Sequence, residues 1–255
     1  MKTIQTPTDT DLAVAARVLA LADDELILAH RDSEWTGHAP ILEEDIGLAN
    51  IAQDELGHAG LWYGVYASLT GQDPDRMVFF REANGWRCVQ LVELPKGDWA
   101  FTMLRQYLFD AYEHVLLGRL AESLHEGVAS AAAKIRREEL YHFRHTSAWV
   151  KRLGLGTRES HNRTQDALDA LWPYTAQLFA TAGGDEDLAA LGYAPPPAEL
   201  ADGWNALVRP HLEASSLGVP DGPGLALPRE QHTPYLAGLL IEMQRVARLD
   251  PEAVW

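Results

Sequence analysis

The chain has 255 residues, with 37 Asp and Glu against 21 Lys and Arg, for a formal net charge of −16. Such acidity argues against a nucleic-acid groove or an anionic membrane surface as the main partner. Hydrophobic residues make up 47%, enough for a sizeable core, and the single cysteine, Cys88, reads as a small buried hydrophobe in a reducing, cytoplasmic compartment.

The apolar spacing is helical almost throughout. A first helix is expected from about Asp11 to Arg31, with Thr8 or Thr10 as its cap. Asp11, Arg17, Asp23 and Asp24 punctuate its apolar stretch, so it reads neither as a signal peptide nor as a membrane span. A second helix starts near Pro40, carries Glu43, Glu44 and Asp45 in its first turns, where the helix dipole favours acids, and stops before Gly71. A third runs from about Asp98 to Glu126, Gly127 interrupts, and a fourth follows to about Leu153. A fifth covers roughly Asn162 to Thr181. "APPPAE" introduces a sixth to about Leu217, and a last helix runs from about Arg229 to Leu249. Only "RCVQLVEL" at 87–94 has the look of a strand.

The links between these helices carry topology. The first two helices are joined by "DSEWTGHAP", and the third and fourth meet at a glycine, whereas Thr70 to Gly97 is a long connection. Short, long, short predicts an all-α, ferritin-like four-helix bundle with one long crossover and additional C-terminal helices, all within one domain spanning 1–255. A connection of that length is expected to pack along the bundle.

Two motifs carry chemistry. "DELGH" sets Glu55 three residues before His58, and "EELYH" sets Glu139 three residues before His142. In the second helix Leu48, Ile51, Glu55, His58 and Trp62 share one stripe. In the fourth, Ala132, Ile135, Glu139, His142, Thr146 and Trp149 do the same. Buried carboxylates and imidazoles cost several kcal/mol unless paired, and a di-metal site is a natural solution. That pattern needs one further acid from each remaining helix. Glu25 lies 30 residues before Glu55, and Asp110 lies 29 before Glu139. Glu25, Glu55, His58, Asp110, Glu139 and His142 are therefore the expected metal ligands. Oxygen and imidazole donors without thiolate suit iron or manganese. Glu138, four before His142, competes with Glu139 for the inward position, and Glu113 and His114 compete with Asp110. His30, His125 and His145 read as surface or capping residues, and His38 has no assigned role. Arg105, Arg136 and Arg137 fall off the inward stripes, so no cation is expected to replace a metal. No Gly-rich phosphate loop is visible.

Three strings go beyond the motif: "LADDELILAHRDSEWTGHAPILEEDIGLANIAQDELGHAGLWY", "FREANGWRCVQLVELPKGDWAFTMLRQYLFDAYE" and "YHFRHTSAWVKRLGLGTRESHNRTQDALDALWPYTAQLF". Together they resemble the C subunits of bacterial phenylacetyl-CoA epoxidases, strongly over about residues 10 to 180. The resemblance implies a multicomponent di-iron monooxygenase of phenylacetate catabolism. In it the A subunit holds the di-iron centre and the substrate, and the C subunit is its structural partner. It implies a hetero-oligomer with the A subunit, and with the B subunit and a reductase at complex level. The reaction implied is addition of one oxygen atom of dioxygen to the aromatic ring as an epoxide, the other leaving as water. C subunits in this family have often lost ligands, and this chain keeps both Glu-x-x-His pairs. A subunit that also binds metal, and an independent di-iron oxidase acting alone, are therefore the alternatives to a purely structural partner.

Overall fold

The computed structural model describes residues 7–180, 185–222 and 224–253, and every regular element among them is helical. Four long helices form the bundle: α1 (Asp9–Ser33), α2 (Leu42–Thr70), α5 (Trp99–Leu120) and α6 (Glu126–Gly154). Between α2 and α5 the crossover carries α3 (Pro74–Phe79), a 3-10 turn at Ala83–Gly85 and α4 (Gln90–Glu93). After the bundle come α7 (Arg158–Leu171), a 3-10 stretch at Trp172–Phe179, α8 (Asp185–Ala190), α9 (Pro197–Ala214) and α10 (Pro234–Leu249).

Local chemistry sets the ends of the bundle helices. Thr8 accepts from the Asp11 amide while the Asp11 carboxylate accepts from the Thr8 amide, a reciprocal cap on α1. Gly71, at φ +71, ends α2 in the left-handed conformation and returns its amide to the Ala67 carbonyl. Asp98 caps α5, and the His125 ring caps α6 by accepting from the Val128 amide.

α1 and α2 form one antiparallel hairpin, α5 and α6 the other. α2 and α6 meet along their length: Trp149 Nε1 donates to Glu44 at 2.8 Å, His142 Nε2 faces Asp54 at 3.2 Å and His58 Nε2 faces Glu138 at 2.9 Å. α9 backs the second hairpin, where the buried Trp204 donates to the Leu108 carbonyl at 3.0 Å. Removing a buried tryptophan such as this costs about 3–5 kcal/mol.

The crossover lies along α1 and is tied to it by buried charge. Asp23 accepts from the Arg87 amide and the Arg81 guanidinium; Asp24 accepts from the Val89 amide at 2.7 Å and from Arg229 at 2.7 Å. Glu93 receives the Thr233 amide and hydroxyl, the His232 ring and the Cys88 thiol. Residues 229–233 thus form a strap over the crossover, each buried acid compensated by its partners.

The structure corrects several boundaries. Residues 87–94 form no strand: 88–93 are buried on both sides and 90–93 make a helical turn. The third helix ends at Leu120, not near Glu126, and Gly127 sits inside the first turn of α6. The fifth helix gives way to 3-10 geometry where Pro173 follows Trp172; its expected end at Thr181 lies outside the described residues. The last helix starts at Pro234 because 229–233 serve as the strap. Cys88 is buried and free, as expected.

Candidate metal centre

The middle of each bundle helix faces one point. α1 supplies Glu25, and α2 supplies Asp54, Glu55 and His58. α5 supplies Gln106, Asp110 and Glu113, spaced i, i+4, i+7 along one stripe, and α6 supplies Glu138, Glu139, His142 and Thr146. Glu25, Glu55, His58, Asp110, Glu113, Glu139 and His142 are all 0–1% exposed.

Glu55 is the hub. Ligand atoms of Glu25, Glu55 and His58 lie within 4.8 Å of one another, as do those of Glu55, Glu139 and His142. His58 Nδ1 sits 3.6 Å from Glu25, 3.7 Å from Glu55 and 3.5 Å from Glu139. His142 Nδ1 sits 2.6 Å from Glu139 and 3.7 Å from Glu55. The two rings are 5.9 Å apart. Both Nδ1 atoms point inward and both Nε2 atoms outward. Each Nε2 meets the acid that precedes the inward glutamate of the facing helix: Glu138 for His58, Asp54 for His142. Those two acids are 45% and 41% exposed, so Glu139 is the inward acid of its pair and Glu138 reaches in from the rim.

On α5 the acids differ in surroundings. Asp110 is held by neutral donors, Thr146 Oγ1 at 2.6 Å and Gln106 Nε2 at 2.9 Å, and the same amide nitrogen reaches Glu55 at 2.8 Å. Glu113 is grouped with Glu25 and Glu139 instead, and the neighbouring carboxylates oppose its ionisation. Measured from helix ends, Glu113 and not Asp110 is the counterpart of Glu25. Glu25 lies eight residues before the last of α1 and Glu113 seven before the last of α5, while Glu55 and Glu139 each lie thirteen after the first residue of their helices. The link between α5 and α6 is three residues shorter than that between α1 and α2. Equal sequence spacing therefore points to Asp110. Gln106 gives no signal by residue type; its place on the Asp110 stripe is the available clue.

Burial pushes the carboxyls of Glu25, Asp110, Glu113 and Glu139 well above the usual range, and neighbouring carboxylates add to it for each. Burial pushes Glu55 the same way, but the adjoining Glu25 carboxyl and His58 ring and the charge of both imidazoles bring it down to about 2. Burial opposes charge on His58 and His142, yet Glu55 and the other surrounding carboxylates raise both. Among the described residues no Lys or Arg forms an ion pair with these five acids. Arg105, although buried, is engaged by Asp32 at 3.0 Å and the Leu94 carbonyl at 2.9 Å.

Five carboxylates, two imidazoles and no fixed cation fit a multivalent metal occupant. The unpartnered buried atoms say the same: both oxygens of Glu25, one each of Glu55, Glu113 and Glu139, and His58 Nδ1. A second buried trio, Cys88, Glu93 and His232, does not fit, because both Glu93 oxygens and both His232 nitrogens are already hydrogen-bonded. His114 stacks on Phe143 at 4.9 Å and His145 pairs with Glu44, both away from the cluster.

An all-helical bundle with a buried carboxylate–histidine core of this pattern defines a ferritin-like protein. Comparison with known sequences narrows the class. The chain belongs to the phenylacetic acid catabolic protein family, which it matches over residues 1–255. It is 38% identical over 245 residues to the C subunit of the 1,2-phenylacetyl-CoA epoxidase of Escherichia coli (strain K12), covering 95% of this chain and 99% of the relative.

Proposed function

We propose that this chain is the C-type subunit of a cytoplasmic phenylacetyl-CoA epoxidase, the structural partner of a catalytic A subunit, and that it retains a di-metal carboxylate site of its own. The subunit reading rests on end-to-end similarity to the C subunit of the E. coli epoxidase. No helix among the described residues is long and apolar enough to cross a membrane. The metal reading rests on one observation, the buried, unpartnered oxygen and nitrogen atoms turned toward a common centre without a compensating cation.

Glu25, Glu55, His58, Glu139 and His142 would hold the ions, with Glu113 or Asp110 as the α5 ligand. Iron or manganese bound there supplies redox chemistry toward dioxygen. The chain's own part is separate from that. Asp54 and Glu138 accept from Nε2 of His142 and His58, which fixes one proton on each Nε2 and aims each Nδ1 at the centre as the ligating atom. Where the surrounding carboxylates keep the rings charged, loading requires the Nδ1 protons to leave. Gln106 and Thr146 orient Glu55 and Asp110 by donating to them, and burial of the cluster excludes water. Epoxidation itself is assigned to the A subunit.

The test is anaerobic iron or manganese loading of the purified chain beside a Glu55→Ala/His142→Ala variant. Near-stoichiometric metal in the first and its loss in the second is expected; equal, substoichiometric metal in both ends the metal reading. The complete cluster also favours a second reading, an independent di-iron oxidase, which requires metal-dependent oxygen uptake by the chain alone.

A further inference from the structure

The carboxylate cluster is thickly covered on two sides and thinly on a third. On α1 every residue from Ala20 to Ala29 is buried, and on α5 every residue from Thr102 to Glu113. The crossover lies over the first, with the Val89 amide on Asp24, and α9 over the second, with Trp204 on the Leu108 carbonyl. An ion passing either helix would have to unpack the core. α2 and α6 differ: Gln53, Leu56 and Gly57 on one and Arg137, Leu140 and Tyr141 on the other are exposed. The seam between them is plugged toward both ends. At one, Trp149 and His145 meet Glu44 at 2.8 and 3.0 Å. At the other, Val65 lies 3.7 Å from where a Cβ on Gly127 would stand. Between the plugs stand the two histidine–acid pairs.

One nitrogen of His58 meets the half-exposed Glu138 at 2.9 Å, and its other lies 3.5 Å from the buried Glu139. His142 repeats this, with Asp54 at 3.2 Å outside and Glu139 at 2.6 Å inside. A single imidazole ring therefore separates each solvent-facing acid from the buried set. Two surface acids are by themselves only solvated charges. What turns these two toward an ion is the set behind the rings: unpartnered oxygens of Glu25, Glu55 and Glu139, and His58 Nδ1, with no compensating cation among the described residues. Divalent cations of the manganese class prefer carboxylate oxygen. A carboxylate that ligates such a cation is a weaker acceptor for the ring N–H, so capture of an ion at the rim loosens the ring that blocks its passage.

Resting on the reading of the cluster as a metal centre, we propose that Asp54 and Glu138 form a transient outer site for a divalent cation, with His58 and His142 as the doors behind it, and that this seam is the route by which the centre loads and unloads. The ion binds a rim carboxylate, the ring turns aside, the ion passes to Glu55 and its neighbours, and the ring returns to ligate through Nδ1. Entry and exit share this path. Removing the outer site destabilises a state that lies between solution and the centre, so both directions slow. Loss of a purely orienting partner instead weakens the bound state and speeds release.

The experiment follows Mn(II) on the full chain under anaerobic conditions. Uptake is timed by rapid mixing, an EDTA stop and metal analysis of the desalted protein. Release is timed by adding excess EDTA to loaded protein, and equilibrium dialysis gives Kd. Asp54→Asn/Glu138→Gln keeps an acceptor for each Nε2 and removes the charge. Uptake is expected to slow about 100-fold and Kd to rise about tenfold at most, so release slows about tenfold or more. Glu43→Gln/Glu126→Gln removes the same charge from exposed first-turn positions of α2 and α6, and is expected to load within about threefold of wild type. Unchanged uptake in the rim variant, or uptake slowed equally in the control, overturns the outer site and leaves the metal centre standing. So does a rim variant that releases Mn(II) faster than wild type or no longer holds it at equilibrium, since the two acids then only orient the rings. Wild-type protein that surrenders Mn(II) to EDTA within the mixing time has no door, and the proposal is overturned. Wild-type protein that binds no Mn(II) in dialysis overturns both readings.

Discussion

Truncating Asp54 and Glu138 tests whether the cluster is organised for metal. Each accepts from the outward nitrogen of a cluster histidine, at 3.2 Å for Asp54 and 2.9 Å for Glu138. With both carboxylates more than two-fifths exposed, their charge acts largely through water, so a contact near 3 Å is worth about 1.4 kcal/mol by Coulomb's law at a dielectric of about 80. Fixing the imidazole tautomer and orientation adds to this, and loss of such a supporting carboxylate typically costs 10- to 100-fold in metal affinity, or about 1.4–2.7 kcal/mol. Asp54→Ala and Glu138→Ala should each weaken Mn(II) binding by that factor. The double variant should lose about 10²- to 10⁴-fold, because the two acids act on different rings and their effects add. Anaerobic calorimetric titration gives the affinities, and circular dichroism checks that the half-exposed substitutions leave the helices intact. The reasoning is refuted if the double variant binds Mn(II) as tightly as wild type while Glu55→Ala abolishes binding, since the histidines would then need no outer partner.

Other consequences are local. Arg229→Met strands Asp24 in the core and should cost about 3–5 kcal/mol in urea unfolding, whereas Asp24→Asn/Arg229→Met should cost less. Asp32 is pushed up to about 7 by burial, with Arg105 only partly offsetting it. A carboxyl whose folded pKa is raised contributes stability that is full below its unfolded value near 4 and is lost as pH rises through about 7. Melting temperatures at pH 4.5, 6 and 7.5 should therefore fall less with pH in Asp32→Asn than in wild type. A Cβ at Gly154 would collide with the Ser215 carbonyl where α6 meets the end of α9, so Gly154→Ala should destabilise by about 1–3 kcal/mol in the same unfolding assay.

Connectivity is legible in the sequence because the two short links and the one long link differ so plainly, and because inward stripes keep a helical period. The crossover is not. Cys88, Val89, Leu91 and Val92 are covered on all sides, so the period that separates a strand from a helical turn is absent there. What organises that stretch is distant in sequence: Asp23 and Asp24 on α1, and Arg229, His232 and Thr233 near the C-terminus. Apolar spacing reports which side of a segment is buried, not which remote charge meets its amides. For the same reason apolar spacing starts the last helix at Arg229, five residues too early.

The centre divides along similar lines. Two residues three apart on one helix share a face whatever surrounds them, so Glu55 with His58 and Glu139 with His142 can be recognised from spacing alone. Pairing across helices depends on the length of the turn between them. The 30-residue separation of Glu25 and Glu55 includes an eight-residue link, and the second hairpin has a five-residue link. Subtracting that difference of three moves the expected α5 partner from 30 to 27 residues before Glu139, which falls between Glu113 at 26 and Asp110 at 29 and nearer the former. The surroundings then separate the two acids. Asp110 is satisfied by an amide and a hydroxyl, which a neutral or charged carboxyl can both use, whereas Glu113 meets only other acids and keeps an unpartnered oxygen. An acid in the second position has no neutral neighbour to quiet it, and relief comes from a shared proton or a shared cation. The opposite half repeats the arrangement with Glu25, both of whose oxygens lack partners. Two such acids, one per hairpin, flanking the hub at Glu55, are what a structural relic would have the most to gain by losing. Their presence is the physical reason to look for metal in this chain.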